Sequence, residues 1–225
     1  MSKVLTKAWW KILAVMILIF TLTGGLLLDV PRLNILNETI RNLYFHVCMW
    51  FAMVLLFLTS LVYALKYLSS AQKIDDIKSG VFASVGMLMG VLGILTGMLW
   101  AKFTWGAYWS GDPKQNSAAI ALLIYAAYFV LRNSFEDEIQ KARISSVYNV
   151  FAFFSMIALI FILPRMSQDS LHPGNGGNPG FNFYDLDSKL RLVFYPAIVG
   201  WTLYGAWMAS IRIRYEIFKL NRENR

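Results

Sequence analysis

Six apolar runs alternate with short polar stretches along the whole chain, at about residues 9–28, 43–65, 81–100, 113–131, 147–163 and 192–211. A run of roughly 20 residues, rising 1.5 Å each as a helix, crosses the roughly 30 Å hydrocarbon core of a bilayer. Every backbone amide inside that core must be bonded within its own segment, so each run is expected to be helical. The fold expected is all-α: a polytopic membrane protein with six transmembrane helices in one domain, 1–225.

The stretches between the runs support the division. Residues 29–42 carry Pro31, Arg32, Asn34, Asn37, Glu38 and Arg41; residues 66–80 carry Lys73, Asp75, Asp76 and Lys78; residues 132–146 carry Glu136, Asp137, Glu138, Lys141 and Arg143. Each is expected to be a polar connection. The longest, 164–190, holds His172-Pro-Gly-Asn-Gly-Gly-Asn-Pro-Gly180, too rich in Gly and Pro for a regular element. The first run follows Lys3, Lys7 and Lys11 and outlasts a signal-peptide core without a small-x-small cleavage site, which predicts an uncleaved first span. In the third run Gly86, Gly90, Gly93 and Gly97 are spaced four, three and four, so they share one helix face. Such a seam lets another helix approach closely and would hold whatever follows the run in a fixed place.

Composition narrows the class further. The chain is 57% hydrophobic and 15% charged, which excludes a soluble domain of this size, and its net charge of +8 sits in the connections rather than in a nucleic-acid-binding patch. Six spans put both termini on one side. Lys3, Lys7, Lys11, Lys66, Lys73, Lys78, Arg132, Lys141, Arg143, Arg212, Arg214, Lys219, Arg222 and Arg225 lie there, 14 of the 21 Lys and Arg. The positive-inside rule then makes the termini cytoplasmic. The single Cys48 lies in an apolar run, so the chain has neither a disulfide framework nor a C-x-x-C motif for covalent haem attachment or thiol redox.

One connection departs from the plain polar pattern. Trp105-Gly-Ala-Tyr-Trp-Ser-Gly-Asp112-Pro-Lys, within an outer loop expected at 101–116, puts Trp105, Tyr108 and Trp109 within five positions. Interfacial anchorage accounts for such rings in general, and Asp112-Pro113 followed by Gln115 also reads as a helix start with a capping box. Neither explains the order of residue types. That order resembles the tryptophan-rich "WWD" signature of the haem-handling membrane proteins of cytochrome c biogenesis, W-G-x-x-W-x-W-D. Trp105, Gly106, Trp109 and Asp112 match, while Gly111 stands where the third Trp is expected, which narrows the platform and predicts a more flexible one. Chain length and layout resemble the six-span branch of that family.

The resemblance implies a function and a site. Its members carry one external histidine before the tryptophan motif and one after it; His46 and His172, the only two histidines, fit that order. Both are expected on the outer side, as axial ligands of a non-covalently held haem b, against a platform of Trp105, Gly106, Tyr108, Trp109 and Asp112. Arg32, Arg41, Lys102, Lys114 and Arg165 are the outer cations available to its propionates. The function implied is presentation of haem at the periplasmic face of a bacterial inner membrane and delivery to a periplasmic haem chaperone. The partners implied are the subunits of an ABC-type transporter and a small one-helix membrane subunit. The chain has no phosphate-binding loop of its own and is not expected to be an enzyme. Two other readings stay open: a subunit of a cytochrome c haem lyase, although the larger synthase branch has more spans and further histidines, and a generic permease with an aromatic belt.

Overall fold

A computed structural model describes residues 7–32, 36–167, 170–172 and 186–223. Lys3, Asn34, Arg225 and the Pro173 to Gly180 stretch of the long loop lie outside the described residues. The elements are α1 (Trp9–Leu27), a 3-10 helix (Asn37–Tyr44), α2 (His46–Ser70), α3 (Lys73–Trp105), α4 (Pro113–Asn133), α5 (Glu138–Ile157) and α6 (Ser188–Glu223). A π-helical turn, Ala158–Ile162, carries α5 on into a last helical turn, Leu163–Met166. No strand occurs among the described residues. Six helical segments are long and apolar enough to cross a membrane, as the hydropathy pattern predicts, and the protein is a multi-pass membrane protein.

The helices outrun the apolar stretches. Residues 66–80 and 132–146, expected as connections, are almost entirely helical: only Ala71 and Gln72 separate α2 from α3, and 134–137 separate α4 from α5. The expected connection 29–42 likewise ends in the 3-10 helix. Hydropathy marks where the lipid ends, whereas a helix continues into the headgroups until a cap stops it. Here the caps are Ala71 at φ 52 behind α2 and Asp137, whose carboxylate accepts the Gln140 amide at 2.6 Å ahead of α5. The π turn has a local cause, since Pro164 lacks the amide an α-helix would place on Ile160 and the ladder shifts register.

α2 and α3 run antiparallel at the centre; α5 and α6 pack on α2, α4 packs on α5, and α1 packs mainly on α6. The glycine face of α3 meets a matching row on α2. Ideal Cβ atoms built on Gly86, Gly90, Gly93 and Gly97 would run into Phe57, Met53, Trp50 and His46 respectively. The bulky row is therefore spaced four, three and four, like the glycines it faces. Phe57 in turn stacks on Tyr125 of α4, centroids 3.5 Å apart. At the end of the bundle away from the tryptophan loop, Arg132 forks onto buried Asp76 at 2.7 and 2.8 Å. Asn149 donates to Ser60 and Ser79 at 2.7 and 3.1 Å, tying α5 to α2 and α3. Interhelical hydrogen bonds and close small-residue contacts supply the specificity that the hydrophobic effect cannot supply inside lipid.

Candidate functional site

α3 does not stop where its apolar run stops. It continues to Trp105 and is closed by Gly106 at φ +85, a left-handed position that glycine takes without strain. Asp112 then caps α4, its side chain accepting the Lys114 amide at 2.8 Å, with Pro113 at the first helical position. The loop expected at 101–116 is thus only Gly106 to Asp112, because helix occupies both flanks.

Side chains of α4 stitch that short loop. Trp109 Nε1 donates to Asn116 Oδ1 at 3.0 Å, and Asn116 Nδ2 donates to the Gly111 carbonyl at 3.0 Å. Gln115 Oε1 accepts from both the amide and the hydroxyl of Ser110, at 3.0 and 2.9 Å, rather than reaching the Asp112 amide as a capping box would. Gly111 adopts φ +76, so the turn occupies a left-handed position at the place where the family signature puts a third Trp.

Asp112 is 5% exposed and does more than start a helix. Besides the Lys114 amide, its carboxylate accepts the Leu171 amide at 2.8 Å, the Ser170 hydroxyl at 3.2 Å and His172 Nδ1 at 2.8 Å. Burial pushes its pKa up, but the hydrogen bond and charge of His172, with the Leu171 and Lys114 amides, outweigh burial and hold it well below the usual carboxylate range. The His172 ring meets Trp105 edge to face, with centroids 4.8 Å apart. With Nδ1 on the carboxylate, His172 keeps Nε2 for another partner.

His46, at the first turn of α2, is held differently to the same effect. Its Nδ1 lies 2.8 Å from the Gly93 carbonyl, so the proton sits there and Nε2 is again the nitrogen left over. A carbonyl inside a helix can be reached because Gly93 and Gly97 let the ring in: a Cβ on Gly97 would overlap His46 Cε1. Trp50 and Trp100 bracket the ring edge to face at 6.3 and 5.9 Å. Trp100 is fixed by its Nε1 donating to Thr39 of the 3-10 helix at 3.0 Å.

The structure brings Trp105, Asp112 and His172 into direct contact, with His46 deeper in the same end of the bundle. The eight positions from Gly97 to Trp105 correspond to about 12 Å of helix. Tyr108 and Trp109, at 52% and 40% exposed, lie on the outside of the loop. Gly106 serves as the turn. Sequence reasoning missed Trp50, Trp100, Gly93 and Gly97 as surroundings of His46. The repeat of the glycine spacing at His46, Trp50, Met53 and Phe57 was the signal that could have found most of them. The donor set suits haem iron: two imidazoles, each with Nδ1 engaged by the protein, beside indole rings.

Comparison with known proteins shows the family. The family model for CcmC, Heme exporter protein C, matches residues 1–225. Heme exporter protein C of Paracoccus denitrificans is 26% identical over 202 residues, covering 84% of this chain and 80% of that protein. Its counterpart in Rhodobacter capsulatus is 28% identical over 138 residues, covering 60% of this chain and 57% of that protein. A shorter likeness joins the chain to cytochrome c biogenesis protein CcsA of Parasynechococcus marenigrum, 43% identical over 67 residues, 30% of this chain and 22% of that protein. The first match runs the full length of the chain, and this protein belongs to the Heme exporter protein C family.

Proposed function

We propose that the protein holds haem b non-covalently at the periplasmic face of the bacterial inner membrane and passes it to a periplasmic haem chaperone during cytochrome c maturation. Family membership supports the coarser part, a haem-handling component of cytochrome c biogenesis. The observation that carries the finer part is the matched state of the two histidines: each commits Nδ1 to a protein acceptor, Gly93 or Asp112, and keeps Nε2 for iron. His46 and His172 would hold the iron of bound haem through Nε2. Asp112 orients His172, the Gly93 carbonyl orients His46, and Trp105 and Trp100 shield the rings from water. The exposed Trp109 and Tyr108 edge of the loop is where a chaperone would collect the cargo. The exporter name supports membership of an ABC-type transporter complex, and the one-helix subunit is proposed with it.

The test is spectroscopic. Purified wild-type protein should show a haem Soret band that shifts on reduction, and His46→Ala and His172→Ala should each lose haem or change its ligand signature. A wild type without haem, or two variants with unaltered spectra, would refute the assignment. Thioether formation on an added C-x-x-C-H peptide would instead make the protein a lyase component.

A further inference from the structure

The segment just ahead of His46 is a 3-10 helix of 8 residues, Asn37–Tyr44. Runs of that conformation seldom exceed three or four residues, because side chains at i and i+3 eclipse and the hydrogen bonds are poorer. The eclipse is put to use here. Ile40 and Leu43 turn one edge into the core, and Glu38 pairs with Arg41 at 2.6 Å along a second. Thr39 and Asn42 make the third edge, which lies on α3. Thr39 Oγ1 accepts from Trp100 Nε1 at 3.0 Å, and Asn42 Nδ2 donates to the Thr96 carbonyl at 3.0 Å.

The two pitches match. Three residues of 3-10 helix rise about 6 Å, and so do four residues of α-helix, the step from Thr96 to Trp100. An α-helical segment would rise only about 4.5 Å between Thr39 and Asn42 and would turn one of them about 60° out of line. The 3-10 form therefore reaches both anchors at once. The chain then arrives at His46, whose Nδ1 lies 2.8 Å from the Gly93 carbonyl, one turn further along α3. Thr96 also borders the ring. Its Oγ1 donates to the carbonyls of α3 itself, Leu92 at 2.7 Å and Gly93 at 3.1 Å, and so turns a lone pair toward His46 Nδ1 at 3.4 Å.

We propose that Thr39 and Asn42 are positioning residues for His46: through them the 3-10 helix sets the depth of the imidazole on α3 and holds the Trp100 indole beside it. The proposal deepens the haem-holding reading and rests on it, since a ring seated in one place offers Nε2 in one direction. The seating itself belongs to the chain without cargo. Thr39→Val removes the acceptor for Trp100, and Asn42→Leu removes the donor to Thr96, each at nearly constant bulk.

The experiment is nuclear magnetic resonance on the full chain in detergent, with histidine alone isotope-labelled. Only two residues then give ring signals, and His172→Ala tells them apart. Without haem, wild type should show His46 as a single species with its proton on Nδ1. Thr39→Val and Asn42→Leu should each shift or multiply the His46 signals and leave those of His172 in place. Haem retention should fall by about tenfold in both, the usual loss when a group that orients a ligand is removed. Thr39→Ser keeps the hydroxyl and should restore signals and retention together. Asn149→Leu breaks the Ser60 and Ser79 contacts elsewhere in the bundle, so it should lower the unfolding midpoint with the His46 signals unmoved. Unchanged His46 signals in Thr39→Val and Asn42→Leu, the same disturbance in Asn149→Leu, or no rescue by Thr39→Ser would overturn the proposal. A wild type that takes up no haem would instead refute the haem-holding reading, and the His46 signals would still decide the seating.

Discussion

An imidazole ligates through one nitrogen, and which one is decided by what holds the other. That makes Asp112 the residue whose replacement is most informative. Asp112→Asn keeps an N-cap side chain, so α4 should start normally and membrane insertion should be unchanged. It removes the negative charge behind His172, so haem retention should fall by about tenfold or more, and the reduction potential of bound haem should rise as the ligand becomes less basic. Spectroelectrochemistry checks both, and an unchanged potential would mean that His172 is not on the iron. The pH dependence has a defined sign. A carboxylate held below its ordinary value contributes fully above about pH 4 and loses that contribution only as the pH falls through its lower folded value. Wild type and Asp112→Asn should therefore show parallel haem-retention profiles between about pH 5 and 8. The sequence displayed His46, His172 and Asp112 but not their holders, because the Gly93 carbonyl is a backbone atom and the Asp112 to His172 contact spans 60 positions.

The glycines of α3 make different predictions at different positions, although they share one helix face. A methyl group on Gly90 would meet Leu122 Cδ2 at 2.5 Å and Met53 Sδ at 2.8 Å, both movable tips of flexible side chains. Gly90→Ala should cost less than about 1 kcal/mol. A methyl group on Gly86 would meet the Phe57 ring at 2.9 Å, and that ring cannot retreat because it stacks on Tyr125. Gly86→Ala should cost about 1–3 kcal/mol, seen as a lower midpoint of thermal unfolding in detergent, while haem binding of the folded protein persists. Gly97→Ala should do the reverse, displacing His46 and altering the haem spectrum with a smaller change in midpoint. If all three gave one pattern, the seam would be general packing and the special position of His46 would be wrong. The seam was legible because four glycines recurring at helical spacing on one face mark a close helix contact. Helix ends were not, since the apolar pattern follows the lipid boundary and the helices pass beyond it at both ends of α3.

Across the whole molecule, the two ends of the bundle are built from different chemistry. One end has Asp76 paired with Arg132 and the Lys73 to Glu138 bridge, which clamp the helices there. The other carries the histidines and the tryptophan loop. An excess of Lys and Arg on the clamped side, 14 of 21, favours its retention in the cytoplasm. Hydropathy made the six spans readable along the chain itself, whereas the depth of His46 below the loop depends on the α2 to α3 register. Orientation is checked by labelling. In a Cys48→Ala background, Trp109→Cys should react with a membrane-impermeant maleimide added to spheroplasts, and Gln72→Cys, in the short break between α2 and α3, should react only after lysis. Both positions are exposed, so burial cannot produce a false negative. The reverse pattern would place the histidine end in the cytoplasm, where a periplasmic chaperone cannot reach it. Delivery would then be excluded even if haem were bound as proposed.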